Sequence, residues 1–213
     1  MNPFKIGYNF QYRRSKDEIN PEEIRPVSVL KVINYGDDVL RQPTEKVHKV
    51  SAKIQKLVND MFDTMYAYNG VGLAAPQVGV LKKIFVLDCS TDDDPMPQMV
   101  FINPVIIKKS GAILSREGCL SFPNVFTDVK RYADVTVRYM DMKGKMREMT
   151  ATEGSLLCRA IQHEYDHTEG ILFVDHVVDR FTTDNLLHEN QLPPIDANRI
   201  LSEPDLDNVL MMI

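Results

Sequence analysis

The order of structural elements in the sequence predicts an α+β domain. Apolar residues recur at helical spacing over residues 51–69, and a second helical segment, which carries two histidines, covers roughly residues 154–168. Between these segments the chain is rich in short strand-like stretches, and the last two are separated by a turn-like sequence at residues 141–144. Strands grouped together, with the helices outside the group, are typical of the α+β class.

The first helix is the most strongly patterned segment of the chain. Ser51 is a candidate N-cap, and Gly70 is a candidate stop. The apolar residues between them recur on one helical face: Ile54, Leu57, Val58, Met61, Phe62 and Met65. We interpret this face as core packing, because methionine is a common filler of protein cores and nothing else in the segment indicates a cofactor site.

The predicted strands are short, apolar or alternating, and bounded by turn residues. In chain order they cover residues 28–33, 84–88, 99–108, 125–129, 134–140, 145–150 and 171–174. A break is expected at Pro104, because proline cannot donate to a sheet ladder. A last helix is predicted over residues 177–190, and Pro193 and Pro194 end it.

Length and charge exclude several classes of function. A chain of 213 residues suits one domain, which we place at residues 29–190, with an N-terminal extension at 1–28 and a C-terminal tail at 191–213. The net charge of -5 and the pI of about 5.6 give no nucleic-acid signature. The longest apolar runs are too short to cross a bilayer, so no membrane partner is predicted.

The cysteines and the first residues favour a cytoplasmic location. Cys89, Cys119 and Cys158 are an odd number of cysteines at scattered positions, unlike a disulfide framework. Residues 1–28 contain several acidic side chains and lack an apolar core, which argues against a secretory signal or a transit peptide. We therefore expect a reducing compartment and at least one thiol free for other chemistry.

The clearest chemical signal is the stretch Gln162-His163-Glu164-Tyr165-Asp166-His167. Positions i and i+4 share one face of a helix, so the imidazoles of His163 and His167 can meet one metal ion. Glu164 lies roughly 100° around the helix from His163, beside the metal, where it can act on a water molecule. The alternative is a helix with two surface histidines, and a catalytic site also needs a third protein ligand.

Cys119 is the best candidate for that third ligand. It lies in a turn-like setting between Gly118 and Pro123, and a thiolate completes a Cys-His-His set. Cys158 lies five residues before His163, which is about 500° of helix, so it points away from the metal face. Cys89 ends an apolar strand and is interpreted as a buried hydrophobic residue.

A stretch of small residues at 70–79 includes one polar side chain, Gln77. Gly70 and Gly72 allow unusual backbone angles and close approach by a ligand. A tight loop beneath a core strand explains the stretch equally well. A phosphate-binding loop is excluded, because no Lys-Ser/Thr pair follows the glycines.

Three ordered segments resemble the signature motifs of peptide deformylases, G-x-G-x-A-A-x-Q, E-G-C-x-S and Q-H-E-x-x-H. They are residues 70–77, 117–121 and 162–167, and every fixed letter of the motifs is present. The wider similarity runs from about Val29 to Asp175. The resemblance implies antiparallel strands around a central metal-binding helix. It also implies a hydrolase that removes the formyl group from the N-terminal formyl-methionine of new polypeptides and releases formate.

The resemblance also implies a role for each residue of the motifs. The metal, implied to be Fe²⁺ with Ni²⁺, Co²⁺ or Zn²⁺ able to substitute, is bound by Cys119, His163 and His167. Glu164 accepts and returns a proton, and the side chain of Gln77 and the backbone N–H of Leu120 hold the oxyanion. The implied substrate-binding residues are Val71, Gly72, Glu117 and Gly118, of which Val71 and Glu117 help to shape a methionine pocket.

One departure and two alternative functions accompany the resemblance. Many relatives have a basic residue a few positions past the cysteine motif, whereas here residues 125–128 come before Lys130 and Arg131, which leaves open the preference beyond methionine. A zinc peptidase is one alternative, although its third ligand is usually His or Glu. A non-catalytic protein that binds peptide or ribosome is another, although Glu164 and Gln77 are intact. The ribosome, near the exit of the nascent chain, is the predicted partner besides the peptide.

Overall fold

Two sheets meet at a buried helix. The computed structural model describes residues 27–91, 93–201 and, by backbone alone, 209–211. The α-helices within these residues are α1 (Ala52–Ala67), α2 (Leu156–Thr168) and α3 (Arg180–Glu189). The strands are β1 (Gly72–Ala74), β2 (Ile84–Leu87), β3 (Met99–Ser110), β4 (Ala112–Cys119), β5 (Phe122–Arg131), β6 (Asp134–Met140), β7 (Met146–Ala151) and β8 (Val209–Met211).

The larger sheet has the strand order β1-β2-β3-β6-β7, and each neighbouring pair is antiparallel. Strands β4 and β5 form an antiparallel hairpin, and β8 pairs in parallel with the first part of β4, at residues 112–114. Helix α2 packs against β1 and β2 and faces the hairpin. This arrangement confirms the predicted α+β class, with antiparallel strands around a helix.

Helix α1 confirms the strongest sequence pattern. The Ser51 hydroxyl accepts a hydrogen bond from the backbone N–H of Ile54 and so caps the helix. Its apolar face, which includes Met61 and Met65, is buried against β1 and β2. After the helix ends, the N–H of Gly70 bonds to the carbonyl of Met65 and turns the chain into β1.

The break expected at Pro104 is a bulge within β3 rather than an end of the strand. The pairing of β3 with β6 shifts register between Ile102 and Val105. Asn103 adopts a positive φ of 50° at this point. Its side chain accepts from the N–H of Val47 at 2.8 Å and donates to the Val47 carbonyl at 2.7 Å, which gives the irregular backbone fixed partners.

The strand predicted at residues 28–33 is wrong. The segment has no regular secondary structure, and its N–H groups bond to scattered partners: Ser28 to the Asp63 carboxylate, Leu30 to the Thr64 hydroxyl and Ile33 to the Gln77 carbonyl. A strand requires a neighbouring strand to pair with along its length, and apolar alternation alone does not supply one. The segment acts as a strap between α1 and residue 77.

The strand predicted at residues 171–174 is also wrong. Residues 173–176 form a 3₁₀ helix instead. The carboxylate of Asp175 accepts from the N–H of Leu172 at 2.9 Å and forms an ion pair with Arg41, which closes the chain into a turn. Gly170, at φ +73°, ends α2 just before it, as predicted.

The last described residues lie against the domain. Helix α3 begins at Arg180, three residues later than predicted, because Asp179 caps it. Beyond α3, Ile195 is buried and its N–H bonds to Asp184, and the Leu201 N–H bonds to the Asp175 carbonyl. Most of the predicted N-terminal extension, residues 1–26, lies outside the described residues. Within those residues, no helix has the length and apolar content needed to span a membrane.

Candidate metal centre

The two histidines of α2 and the cysteine at the end of β4 meet in one place. One potential ligand atom from each of Cys119, His163 and His167 lies within 4.8 Å of the other two. The Cys119 Sγ is 3.2 Å from the His167 Nε2, and the two imidazole rings are 5.1 Å apart. One sulfur and two nitrogens at this spacing fit a single divalent transition metal, with a fourth position open.

The β4–β5 hairpin delivers Cys119 to this site. The pairing of the two strands shifts register between Gly118 and Cys119, and Leu120 and Ser121 make the turn. The turn is fixed from outside by the backbone N–H of Tyr35, which donates to the Ser121 carbonyl at 2.8 Å. The turn that follows the strap at residues 28–33 therefore ties down the cysteine motif through this hydrogen bond.

Gln77 is fixed with its amide nitrogen towards the cysteine. It lies on a 3₁₀ turn, Ala75–Val78, and is fully buried. Its Oε1 accepts from the N–H of Ala74 at 2.8 Å, so its NH₂ group points the other way. The Nε2 lies 3.4 Å from the Cys119 Sγ and 3.3 Å from the Ser121 hydroxyl. The site therefore contains a neutral, oriented hydrogen-bond donor.

Glu164 is buried beside the ligand group. Its Oε2 has no hydrogen-bond partner among the described residues, and burial raises the pKa of its carboxyl to about 7. Its Oε1 lies so close to β1 that a Cβ on Gly72 would be 2.5 Å away. A side chain at position 72 would therefore displace the Glu164 carboxylate, a steric reason for glycine that the sequence pattern did not indicate.

Glu117 orients one of the two histidines of the candidate ligand group. Its Oε2 accepts from the Nδ1 of His163 at 3.0 Å, which leaves the Nε2 of that ring for a metal. Arg131 donates to the same carboxylate through its Nε and Nη2, both at 3.0 Å. Its Nη1 donates to Asp166. Asp166 also accepts from the Nε2 of His176 at 2.9 Å. This buried chain of charges joins both strands of the hairpin to α2.

The two carboxylates of this buried group, Glu117 and Asp166, are both stabilised in their ionised form by the cations beside them. Burial alone would raise the pKa of Glu117, but the Arg131 charge and the His163 hydrogen bond hold it well below its usual range. Burial likewise opposes ionisation of Asp166. The charge of Arg131, and to a smaller extent that of His176, nevertheless lowers the pKa of Asp166 to about 2. Both carboxylates are therefore ionised at neutral pH. The resemblance implies a place for Glu117 in a methionine pocket but gives no role to Arg131, Asp166 or His176. The pairing of Arg131 with Glu117 depends on strand register, and the contacts of Asp166 depend on the packing of α2.

The other two cysteines are not part of the ligand group. Cys158 is fully buried, and its sulfur is 3.2 Å from the Ala133 carbonyl. Burial raises the pKa of Cys158 to about 11 and that of Cys89 to about 12. The side chain of Gln162 is also not part of the ligand group. Its amide accepts from the N–H of Tyr132 and donates to the Tyr132 carbonyl, both at 2.9 Å, and so links α2 to the residue that follows β5.

The predicted substrate-binding residues lie on two strand edges. Gly72 is in β1, the edge strand of the larger sheet, and Val71 just before it is half exposed. Glu117 and Gly118 are in the last part of β4, and beyond residue 114 no described strand covers that edge. Two strand edges with unpaired backbone groups therefore border the ligand group.

Known proteins are similar to this chain in sequence and fold. Residues 29–182 match the family model for polypeptide deformylase. A peptide deformylase of Microchaete diplosiphon is 46% identical over 156 residues, covering 73% of this chain and 82% of that protein. One of Thermodesulfovibrio yellowstonii is 45% identical over 151 residues, covering 71% and 90%.

Solved structures of peptide deformylases have a fold similar to that of this chain. The crystal structure of a peptide deformylase from Synechococcus elongatus with actinonin aligns with a TM-score of 0.74 at 35% identity, covering 84% of this chain and 99% of that one. The one from Legionella pneumophila aligns with a TM-score of 0.70 at 38% identity, covering 77% and 96%. Peptide deformylases are metal-dependent hydrolases that remove the formyl group from the N-terminal methionine of new polypeptides. With this sequence match, this fold and a Cys-His-His group able to bind a metal, the chain belongs to the peptide deformylase family.

Proposed function

We propose that this chain performs deformylation with Fe²⁺ held by Cys119, His163 and His167, and that Ni²⁺, Co²⁺ or Zn²⁺ can substitute. The convergence of the three ligand atoms within 4.8 Å of one another carries the proposal. A sulfur and two nitrogens suit all four ions. When bound, the ion would supply Lewis acidity, which would lower the pKa of water towards about 7 and polarise the formyl carbonyl.

Glu164 is the proposed proton carrier. Hydrolysis of an amide needs a group that takes a proton from water and later gives it to the leaving nitrogen. The carboxyl of Glu164 is buried next to the ligand group, and its Oε2 has no other partner among the described residues. A carboxyl that burial has brought towards neutral pH suits both halves of this transfer.

Gln77 and Leu120 are the proposed donors to the oxyanion of the tetrahedral intermediate. The Ala74 N–H fixes the Gln77 amide so that its NH₂ points towards Cys119. The backbone N–H of Leu120 belongs to the residue directly after Cys119. A neutral amide suits this place, because a carboxylate would repel the oxyanion. Loss of one such donor typically costs about 10²–10³ in rate.

The two strand edges are the proposed substrate groove. We infer that the peptide lies between β1 and the uncovered part of β4, paired through the backbones of Val71, Gly72 and Gly118. The Synechococcus elongatus relative was solved with actinonin. We infer that this chain would bind that compound in the groove between β1 and β4. Glu117, whose carboxylate is held by Arg131 and His163, contributes its backbone and its aliphatic stem to the methionine pocket.

We also assign the surroundings in which the enzyme works. New chains emerge at the ribosome, so we propose that the catalytic domain, residues 29–190, acts near the exit of the nascent chain, with residues 1–28 and 191–213 as appended segments. All three cysteines are free thiols, which suits the cytoplasm.

The test is release of formate from a formyl-Met tripeptide by protein purified without oxygen and assayed for metal. The proposal expects robust release with about one Fe²⁺ or Ni²⁺ per chain. The matched substrate is the same peptide without the formyl group. Cleavage of that peptide, without formate release from the formylated one, would replace this function with that of a peptidase. A metal-loaded protein that turns over neither peptide would instead indicate a binding protein.

A further inference from the structure

Tyr35 contacts the turn that carries one of the proposed oxyanion donors, Leu120, and has no part in the chemistry described so far. Its backbone N–H donates to the carbonyl of Ser121 at 2.8 Å. Its ring stacks on the ring of Phe122, with the centroids 4.4 Å apart and the planes at 21°. Ser121 and Phe122 are fully buried. The backbone and the ring of Tyr35 therefore both hold the two residues that directly follow Leu120.

The same short stretch of chain also holds the other proposed donor, Gln77. The N–H of Ile33, two residues before Tyr35, donates to the Gln77 carbonyl at 2.8 Å. Gln77 and Leu120 belong to different elements, the 3₁₀ turn after β1 and the turn of the β4–β5 hairpin. The stretch therefore bridges the two donors, beside the direct contact of 3.3 Å between the Gln77 amide and the hydroxyl of Ser121.

The ring of Tyr35 is itself fixed by contacts outside the hairpin. Its hydroxyl donates to the carbonyl of Pro194, beyond α3, at 3.2 Å, and the guanidinium of Arg41 lies 5.8 Å from its ring centroid. Phe122 in turn packs edge-on against Phe173, with the ring centroids 4.8 Å apart. Because the ring has partners on the hairpin and on other elements, it can limit the movement of the turn that contains Leu120.

We propose that Tyr35 is a positioning residue that keeps the Leu120 N–H in place relative to the Gln77 amide. A donor stabilises an oxyanion only from about 2.7–3.1 Å, and a hydrogen bond weakens steeply when it is misaligned. The inference rests on the proposed function, because the placement of these two groups affects the rate only if they hold the oxyanion.

The experiment measures kcat, KM and metal content for Tyr35→Ala and Tyr35→Phe, with a formyl-Met tripeptide as substrate. Tyr35→Ala removes the ring from Phe122, so kcat per bound metal should fall about 10- to 100-fold, the larger value being that of a misplacement of about 1 Å. KM should change little, because the oxyanion forms only on the way to the transition state. Tyr35→Phe keeps the stacked ring and should retain most of kcat.

A double-mutant cycle separates placement of the donors from a general loss of structure. If Tyr35 acts through the oxyanion site, Tyr35→Ala should reduce kcat at least about threefold less in a Gln77→Ala background than in the wild type, since contacting functional groups are not additive. General destabilisation would instead reduce kcat by the same factor in both backgrounds. If Tyr35→Ala does not fold, Tyr35→Leu replaces it, because leucine keeps apolar volume without the stacked ring.

Tyr139→Ala is the matched control. Tyr139 is a partly buried tyrosine of β6 whose ring lies 4.4 Å from that of Phe101, the same centroid distance as in the Tyr35–Phe122 pair. Its removal should lower stability and leave kcat unchanged.

Four results would overturn the role of Tyr35: wild-type kcat in Tyr35→Ala, an equal loss of kcat in Tyr139→Ala, loss of the bound metal in Tyr35→Ala, or an undiminished effect in the Gln77→Ala background. No release of formate by the wild-type protein would refute the proposed function itself.

Discussion

Arg131 holds the carboxylate of Glu117 with two parallel hydrogen bonds. The Nε–Oε1 and Nη2–Oε2 distances are both 3.0 Å, and the two side chains are 2% and 7% exposed. The third nitrogen of Arg131 donates to Asp166, while Glu117 also accepts a hydrogen bond from the Nδ1 of His163. One buried cation therefore neutralises two carboxylates, and one of them fixes the orientation of the imidazole of a candidate metal ligand.

Replacing Arg131 with methionine should lower the free energy of unfolding by about 3–5 kcal/mol, because the substitution leaves two buried carboxylates without their cation. Urea denaturation of the metal-free protein measures this loss without a contribution from metal binding. Arg138→Met is the control. Arg138 pairs with Glu148 on the surface, where the side chains are 52% and 53% exposed, so its loss should cost less than about 1 kcal/mol. An equal loss of unfolding free energy in the two variants would show that the buried pair stabilises the protein no more than the surface pair.

The elements that the sequence predicted correctly are those determined by local pattern. Helix α1 has a cap and a periodic apolar face within its own residues, and β6 alternates along its length. The segments at 28–33 and 171–174 were assigned wrongly because distant partners decide their form. The strap bonds to side chains of α1, and the 3₁₀ turn is closed by Arg41, more than a hundred residues away in the sequence.

The same distinction applies to the site. The spacing of His163 and His167 on one helix can be read locally, and the motif around Cys119 added the third candidate. Arg131 could not be found in this way, since its contact with Glu117 depends on the register of the β4–β5 hairpin and its contact with Asp166 on the packing of α2. The steric role of Gly72 was hidden for the same reason, because only the fold places Glu164 against it.

Glu164→Gln should keep the metal and lose turnover. The amide has nearly the same shape but cannot carry the proton, and general acid–base catalysis is typically worth about 10²–10⁴ in rate. Mass spectrometry of the metal content tests whether the ion is retained, and kcat on a formyl-Met tripeptide tests whether turnover is lost. The matched variant is Glu169→Gln, which removes a carboxylate that pairs with Lys83 beyond the end of α2 and should leave kcat unchanged. Wild-type turnover in Glu164→Gln would exclude the proposed proton transfer.

The three thiols should differ in metal binding and reactivity. Cys119→Ser should reduce metal content much more than Cys158→Ser, because Cys158 lies outside the ligand group. In metal-stripped protein near pH 7.5, Cys119 should react first with a thiol reagent. Burial raises the pKa of Cys158 to about 11 and that of Cys89 to about 12, so both remain protonated.

A thiol titration in the folded state, with the modified residue identified by mass spectrometry, gives the order of reaction. Added metal should slow the first reaction and leave the other two unchanged. Equal metal contents in the two serine variants, or first modification at Cys89 or Cys158, would contradict the choice of Cys119 as ligand.

Gly72→Ala should impair catalysis more than folding. The new Cβ would lie 2.5 Å from the Glu164 Oε1 and 2.8 Å from a methyl group of Leu87, so the carboxylate must shift away from its place beside the ligand group. A misplacement of about 1 Å in a catalytic group can cost about 10²-fold in rate. Gly144→Ala is the control, since nothing lies within 4 Å of its Cβ but its φ of +75° strains alanine. That variant should lose about 1–2 kcal/mol of stability and keep full kcat. If Gly72→Ala loses stability and no kcat, the glycine serves packing against Leu87, and the position of Glu164 tolerates the added methyl group.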